Sequence, residues 1–329
     1  METILIDWRN QKERDADAEL IRSIVERGGL IVFPTETVFG IGGNAFSDEA
    51  CRRIFKAKGR PPDNPLIVHV SSYEMAGKVA EIPARIIPAL KKMWPGPLTV
   101  IMRNRGASTV ATAGLDTVAV RMPAGPDAAA MIEFAGVPVA APSANMATRP
   151  SITRNEDAVS QFMGRTDAIL LGEEPEYGIE STVIDVSGDF PVIMRPGAYT
   201  IDDISSAFGH AEYFSGYMEK PSTPGMKYRH YSPSKPLYLI RDEERFINMV
   251  SSITGNFVPI CSDRIGRSLE MDYISLGNDS DMYNVAKRLF AAMNEFDNSS
   301  YSEAYIHGFP ENGIGYSIMN RIKKASVEI

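Results

Sequence analysis

Lys58 and Arg60 stand one glycine apart in AKGRPPDNP, with Asn64 four residues further on. An arginine forks two N–H groups onto phosphate oxygens, a lysine adds a point charge, and an asparagine amide both donates and accepts. That set suits a polyphosphate. Upstream, the apolar run Leu30 to Phe33 breaks at Pro34 into Thr35-Glu36-Thr37, then Gly40, Gly42 and Gly43. A strand ending in hydroxyls and glycines lets a ligand approach the backbone closely. Later strand ends repeat the theme. Ala141 runs into Pro142-Ser143-Ala144-Asn145, Ser181-Thr182 opens another strand, and Arg195 closes one. Arg121 shares the polar face of an alternating stretch with Thr117 and Ala119, and an arginine there suits a carboxylate. Singly, each feature has an ordinary reading: a helix-end cation, a common turn, an exposed arginine on a half-solvated sheet. The ordered set points to ligands bearing phosphate and carboxylate. It contains no Ser-His-Asp or Cys-His pair, so the chemistry is one of placing, shielding charge and excluding water.

Each of these residues needs an element to hold it. The run 30–33 reads as a buried strand. A helix follows: Ser47 caps it, Asp48 and Glu49 suit its first turn, and Lys56 and Lys58 suit its last. It stops at Gly59, because Arg60-Pro61-Pro62 cannot continue it. A second strand runs from Pro65 to Ser71, with His69 on the face opposite Leu66, Val68 and Val70. Other strands are expected at 3–7, 98–102, 117–122, 137–141, 167–171, 181–187 and 191–194. Helices are expected at 15–27, 72–94 with a break at Pro83, 127–135, from about 154, and near 201–208. From 209 to 235 the apolar period fades. Between 220 and 235, Lys220, Lys227, Arg229, His230 and Lys235 gather with Tyr228 and Tyr231 and no acid. That stretch reads either as a solvated linker or as a lid over an anion. Residues 236–329 then alternate strand and helix, which implies a parallel sheet of flavodoxin-like or Rossmann-like type. They carry neither a glycine-rich dinucleotide fingerprint nor a Walker loop.

A chain of 329 residues, 44% hydrophobic and 23% charged, has material for two globular domains. METILIDWRN lacks the basic-then-apolar pattern of a signal peptide, and no apolar run is long enough to span a membrane. Cys51 and Cys261 lie far apart and form no metal or disulfide pattern, consistent with buried thiols in a cytoplasmic protein. A net charge of −8, with an acidic excess in both halves, argues against broad coating of nucleic acid.

FPTETVFG, KGRPPDNPLIVHV and APSAN together closely resemble the YrdC-like family. GIESTVID, RPGA, the linker PGMKYRHYSP and the ending GIGYSIMNRIKKAS extend the likeness to the long two-domain threonylcarbamoyl-AMP synthases. Phe39 stands where that family often has Tyr. The resemblance implies an α/β fold. Residues 1–208 would form an open mixed sheet with flanking helices and a large cleft, 209–235 a linker or lid, and 236–329 a smaller parallel-sheet domain. It implies that L-threonine, bicarbonate and ATP give threonylcarbamoyl-AMP and pyrophosphate. A separate transferase complex would then modify tRNA beside the anticodon, so tRNA is an indirect recipient. By the same likeness, threonine meets Thr37, His69, Arg121, Ala141 and Ser181. ATP meets Lys58, Arg60, Asn64, Thr117, Ser143, Asn145, Ser151, Arg195 and Tyr231. Lys58, Arg60, Ser143 and Asn145 carry the catalytic load. Mg2+ accompanies the triphosphate without a protein ligand set. The competing readings are a carbamoyl-adenylate-forming domain and an RNA-binding or ribosome-assembly protein of the same family. Pyrophosphate release that follows carbamoyl phosphate would mark the first, and salt-dependent tRNA retention without ATP the second.

Overall fold

The structure, a computed structural model, describes residues 2–10, 14–216 and 231–329. β1 (Ile4–Asp7) opens the chain at a sheet edge, and α1 (Ala18–Glu26) buries Ile21, Ile24 and Val25 at helical spacing. β2 (Ile31–Phe33) is buried throughout and returns antiparallel as β3 (Gly40–Asn44). The glycines that follow the hydroxyls belong to this strand, and Gly40 at its start lines the cavity described below. A Cβ on Gly42 would lie 2.5 Å from Val139 Cγ1 and 3.0 Å from Phe33 Cε1. Close packing of neighbouring strands is what requires glycine there.

α2 (Asp48–Lys58) begins where the Ser47 hydroxyl accepts the Ala50 N–H at 3.2 Å, and ends at Gly59 with φ 61°. An N-cap of this kind contributes about 1 kcal/mol. Its amphipathic pattern buries Ile54 and Phe55 and leaves Lys58 at the inner end. β4 (Ile67–His69), α3 (Tyr73–Val79), β5 (Ala80–Glu81), α4 (Ile87–Met93), β6 (Leu98–Asn104) and β7 (Thr117–Arg121) follow. The break expected at Pro83 therefore holds a two-residue strand as well as a turn. α5 (Pro126–Ala135), β8 (Val139–Ala140), α6 (Asn155–Phe162), β9 (Ala168–Leu171), β10 (Thr182–Asp185), β11 (Val192–Arg195), α7 (Ile201–Phe208) and β12 (Glu212–Tyr213) complete the first part. β12 lies inside the stretch read as linker, and it pairs in parallel with β11.

The first sheet runs β1-β9-β2-β3-β8-β4-β7-β6-β10-β11-β12, with β5 added on β6. It is mixed: β4 and β7 pair in parallel, whereas β3, β8 and β4 pair antiparallel. The second sheet holds β13 (Leu237–Ile240), β14 (Phe257–Cys261), β15 (Ile274–Ser275), β16 (Glu303–His307) and β17 (Val327–Glu328). Its order is β15-β14-β16-β13-β17, and every pair is parallel. Parallel strands need crossover helices on both faces. α8 (Glu243–Ser252) and α9 (Asp263–Gly266) cover Ile240, Cys261 and Tyr305 on one side. α10 (Met282–Asn298) and α11 (Ile314–Ala325) cover Leu239, Ile260 and Ile306 on the other. That second cluster also takes in Val38 and Ile179 from the first part, together with Tyr231, so the two parts share one apolar core region.

Candidate active site

The ends of β2, β4, β7 and β11, the start of β10, and the loops after α2 and β8 converge on a cavity of about 370 Å³. That size and setting suit a small-molecule site. The parallel register of β4 and β7 puts His69 beside Arg121, and the β6 register puts Thr99 on the other side of Arg121. Arg121 is buried. Its Nη1 donates to Thr37 Oγ1 at 2.8 Å, and its Nη2 lies 2.8 Å from Glu36 Oε1. Burial pushes the Glu36 carboxyl up, but the Arg121 charge and hydrogen bonds outweigh it and hold the group below its usual range. Burial, reinforced by Arg121, pulls His69 down to about 3, so its imidazole is neutral near pH 7. Ser181 closes this wall, with its hydroxyl 2.8 Å from Thr99 Oγ1. Thr35 braces the turn by donating to Val38 O at 2.7 Å.

A second wall is cationic. Lys58, almost wholly buried, donates to the Ser143 carbonyl, to Asn145 O at 2.6 Å and to Asn145 Oδ1 at 3.4 Å. The Ser143 hydroxyl donates to Asn145 Oδ1 at 2.6 Å. Burial first, then the Arg60 charge, pull the Lys58 ammonium well below its usual range. Arg60 donates to Asn64 O at 3.1 Å and is brought down to about 10 mainly by burial. Arg60 Nε and Asn64 Oδ1 are buried with no hydrogen-bond partner among the described residues. Unmet buried groups are costly, and an anion with a hydroxyl-bearing sugar would satisfy both.

The third wall comes from β10, β11 and the chain entering the second domain. Arg195 donates to Ser181 O at 2.9 Å and to Ser181 Oγ at 3.1 Å. Tyr231, at φ 68°, is buried against Phe290 with ring centroids 5.2 Å apart. The next residue anchors the turn, Ser232 N–H donating to Thr148 O at 2.8 Å.

Twelve of the fourteen residues expected at the site line this cavity. Thr117 and Ser151 do not. Thr117 begins β7 opposite Arg103, roughly 13 Å along the strand from Arg121. Ser151 is fully buried behind the wall, its hydroxyl donating to Glu180 Oε1 at 2.7 Å. Sequence reasoning named Thr35 as a strand-end hydroxyl without giving it a ligand, and gave no role to Glu180 and Thr148 in the wall or to Glu36 and Arg321 behind it. Glu180 stood in the open in GIEST; Arg321 has no local signal, because its partner is 141 residues away. Of the cation-rich stretch 220–235, residues 220–230 lie outside the described residues, and so does the lid reading that depended on them.

The same chain matches known proteins over nearly its whole length. A family model described as "Telomere recombination" matches residues 23–197. A second, described as "Threonylcarbamoyl-AMP synthase, C-terminal domain", matches residues 199–327. A curated threonylcarbamoyl-AMP synthase from Pyrococcus abyssi is 37% identical over 98% of this chain and 98% of its own. The chain belongs to the threonylcarbamoyl-AMP synthase family. A Bacillus subtilis member is 36% identical over 92% of this chain and 91% of its own. The crystal structure of P. abyssi Sua5 complexed with L-threonine superposes with a TM-score of 0.90 at 35% identity, covering 99% of this chain and 100% of that one. Both the mixed first sheet and the parallel second sheet are thus those of a two-domain threonylcarbamoyl-AMP synthase.

Proposed function

We propose that this chain joins L-threonine, bicarbonate and ATP into threonylcarbamoyl-AMP and pyrophosphate. The observation that carries the reading is one cavity with two kinds of wall: Arg121 with Thr37 and Ser181, and Lys58 with Arg60 and Arg195. The first suits an amino-acid carboxylate and hydroxyl, the second a triphosphate. A relative covering the same length has been crystallised with L-threonine.

In this reading Arg121 takes the threonine carboxylate. The threonine amine and bicarbonate form a carbamate and release water. A carbamate oxygen then attacks the α-phosphorus, and the bond to pyrophosphate breaks. The attacking atom comes from substrate, so the protein needs no nucleophile. Lys58, Arg60 and Arg195 shield the phosphates, while Asn64, Ser143 and Asn145 orient the nucleotide in a site from which water is largely excluded. MgATP enters as substrate, with the metal held by phosphate oxygens and water; Glu180, the carboxylate in the wall, is already committed to Ser151 and Arg321. The product would pass to a separate transferase complex that modifies tRNA. We place this in the cytoplasm: Cys51 and Cys261 are free, and burial raises their thiols to about 11 and about 12. Among the described residues no helix is long and apolar enough to cross a membrane.

The test is pyrophosphate release by the purified chain with each substrate omitted in turn. Release should require threonine, bicarbonate and ATP together. Equal release without threonine would refute the assignment, and release supported by carbamoyl phosphate in place of threonine and bicarbonate would favour a carbamoyl-adenylate chemistry.

A further inference from the structure

Arg321 belongs to α11 of the second domain, yet it is wholly buried against the first. Its Nε and Nη2 both donate to Glu180 Oε2, at 3.2 and 3.1 Å, and its Nη1 donates to Pro196 O. One turn earlier, Ser317 Oγ donates to Gly197 O at 2.8 Å; from α10, Asn294 Nδ2 donates to Ser151 O at 3.0 Å. Two side chains of the second domain therefore grip the residues beside Ser181 and Arg195, and a third holds Ser151, the hydroxyl partner of Glu180. Gly197 is part of this fit: a Cβ there would lie 2.3 Å from both Ser181 C and Thr182 N.

Glu180 is the anomaly in this arrangement. It places a buried carboxylate in the wall of a cavity built for an anion. It feels Arg195 from β11, Lys58 from α2, Tyr231 at the linker's end, and Arg321 and Lys324 from α11. Burial pushes its carboxyl up, and the Arg321 charge followed by Arg195 holds it down. A buried charge must be matched. If Arg321 did not match it, the neighbouring Arg195 and Lys58 would have to, and both would then be lost to phosphate.

We propose that Arg321 is a positioning residue for the nucleotide: by neutralising Glu180 from the second domain, it keeps Arg195 on Ser181 and its charge turned to the cavity. The second domain is then an electrostatic component of the site. This rests on the reading that the cavity takes ATP.

The test compares the full-length chain with Arg321→Met, Arg321→Lys and Glu180→Gln/Arg321→Met. Affinity for MgATP in a non-hydrolysable form and for threonine is read by calorimetric titration, alongside pyrophosphate release. Arg321→Met should weaken nucleotide binding at least tenfold and leave threonine binding within threefold. Arg321→Lys should stay within threefold for both. Adding Glu180→Gln to Arg321→Met should bring nucleotide affinity back to within threefold, because no unmatched carboxylate remains. A double variant still tenfold weak would show that Arg321 acts only as a structural tie, and unchanged affinity in Arg321→Met would overturn the proposal outright. Should Arg321→Met not fold, the double variant, which buries no unmatched charge, decides by the same threshold. Nucleotide titration needs no turnover. Wild-type protein that binds the nucleotide but releases no threonine-dependent pyrophosphate would refute the function and leave this inference standing.

Discussion

At the scale of single residues, the cavity separates its tasks by chemistry. Arg121 is the residue through which threonine recognition is most directly tested. Thr37 takes one of its N–H groups and Glu36 faces the same guanidinium at 2.8 Å, yet a five-donor fork has room for a second carboxylate. Removing a charge-assisted contact of this kind costs roughly 1.5–3 kcal/mol. Arg121→Ala should therefore weaken threonine binding by about 10- to 150-fold with a smaller effect on ATP, and Arg121→Lys should restore it only in part, since a point charge cannot fork. Calorimetric titration of each substrate separates the two effects. If threonine affinity is unchanged while ATP affinity collapses, Arg121 serves the other substrate. Arg121 was legible because its types of neighbour and its strand face were local facts. Thr117 shared that face on paper, but four residues of extended chain carry it out of reach of the cavity.

At the scale of elements, the helix from Ser47 to Gly59 could be read almost residue by residue, because its cap, first-turn acids, last-turn cations and stop signal are all local. The strand at Gly40–Asn44 could not. Glycines in a strand and glycines in a loop look alike until the neighbours are known, and the neighbours of Gly42 are Phe33 from β2 and Val139 and Ala141 from the β8 segment, about a hundred residues away. This contrast yields a test. Gly42→Ala places a methyl 2.5 Å from Val139 Cγ1, so overpacking should cost on the order of 1–3 kcal/mol and displace Ala141 and the Ser143 loop after it. Gly59→Ala meets nothing within 4 Å; only its left-handed backbone opposes the methyl, at roughly 1 kcal/mol. Denaturant unfolding of both variants should rank Gly42→Ala as the more damaging, with a raised KM for ATP in addition. The reverse ranking would mean that β3 yields easily to the added methyl.

At the scale of the whole molecule, the boundary between the two parts was the least legible feature. Sequence periodicity shows where one sheet ends and another begins, but not that Val38 and Ile179 join the buried apolar cluster of the second part, or that Arg321 crosses to Glu180. An interface that is apolar at its centre and stitched by buried polar contacts should couple the two parts into one unfolding unit, against the usual expectation of independent domains. The histidines supply a way to see this. His69 lies in the first part and His307 in the second, and burial first of all lowers them from 6.5 to about 3 and about 4. Unfolded, each takes up a proton as pH falls below 6.5; folded, each stays neutral. The unfolded chain thus binds more protons, and stability falls with pH by about 2 kcal/mol per histidine between pH 6.5 and 5. The buried carboxylates Glu36 and Glu180 are held below their ordinary 4.5, so the stability they contribute is lost only further down in pH. The window from 6.5 to 5 therefore separates the histidines from these carboxylates. Both tryptophans, Trp8 and Trp94, are in the first part, so their fluorescence reports that part alone. His307→Gln, in the second, should remove from the tryptophan-detected transition the His307 share of the pH dependence in this window, about 2 kcal/mol, leaving the His69 share in place. A single calorimetric transition should accompany it. Two transitions, with the tryptophan-detected one indifferent to His307, would show that the parts unfold separately and that the shared core is too weak to bind them into one unit.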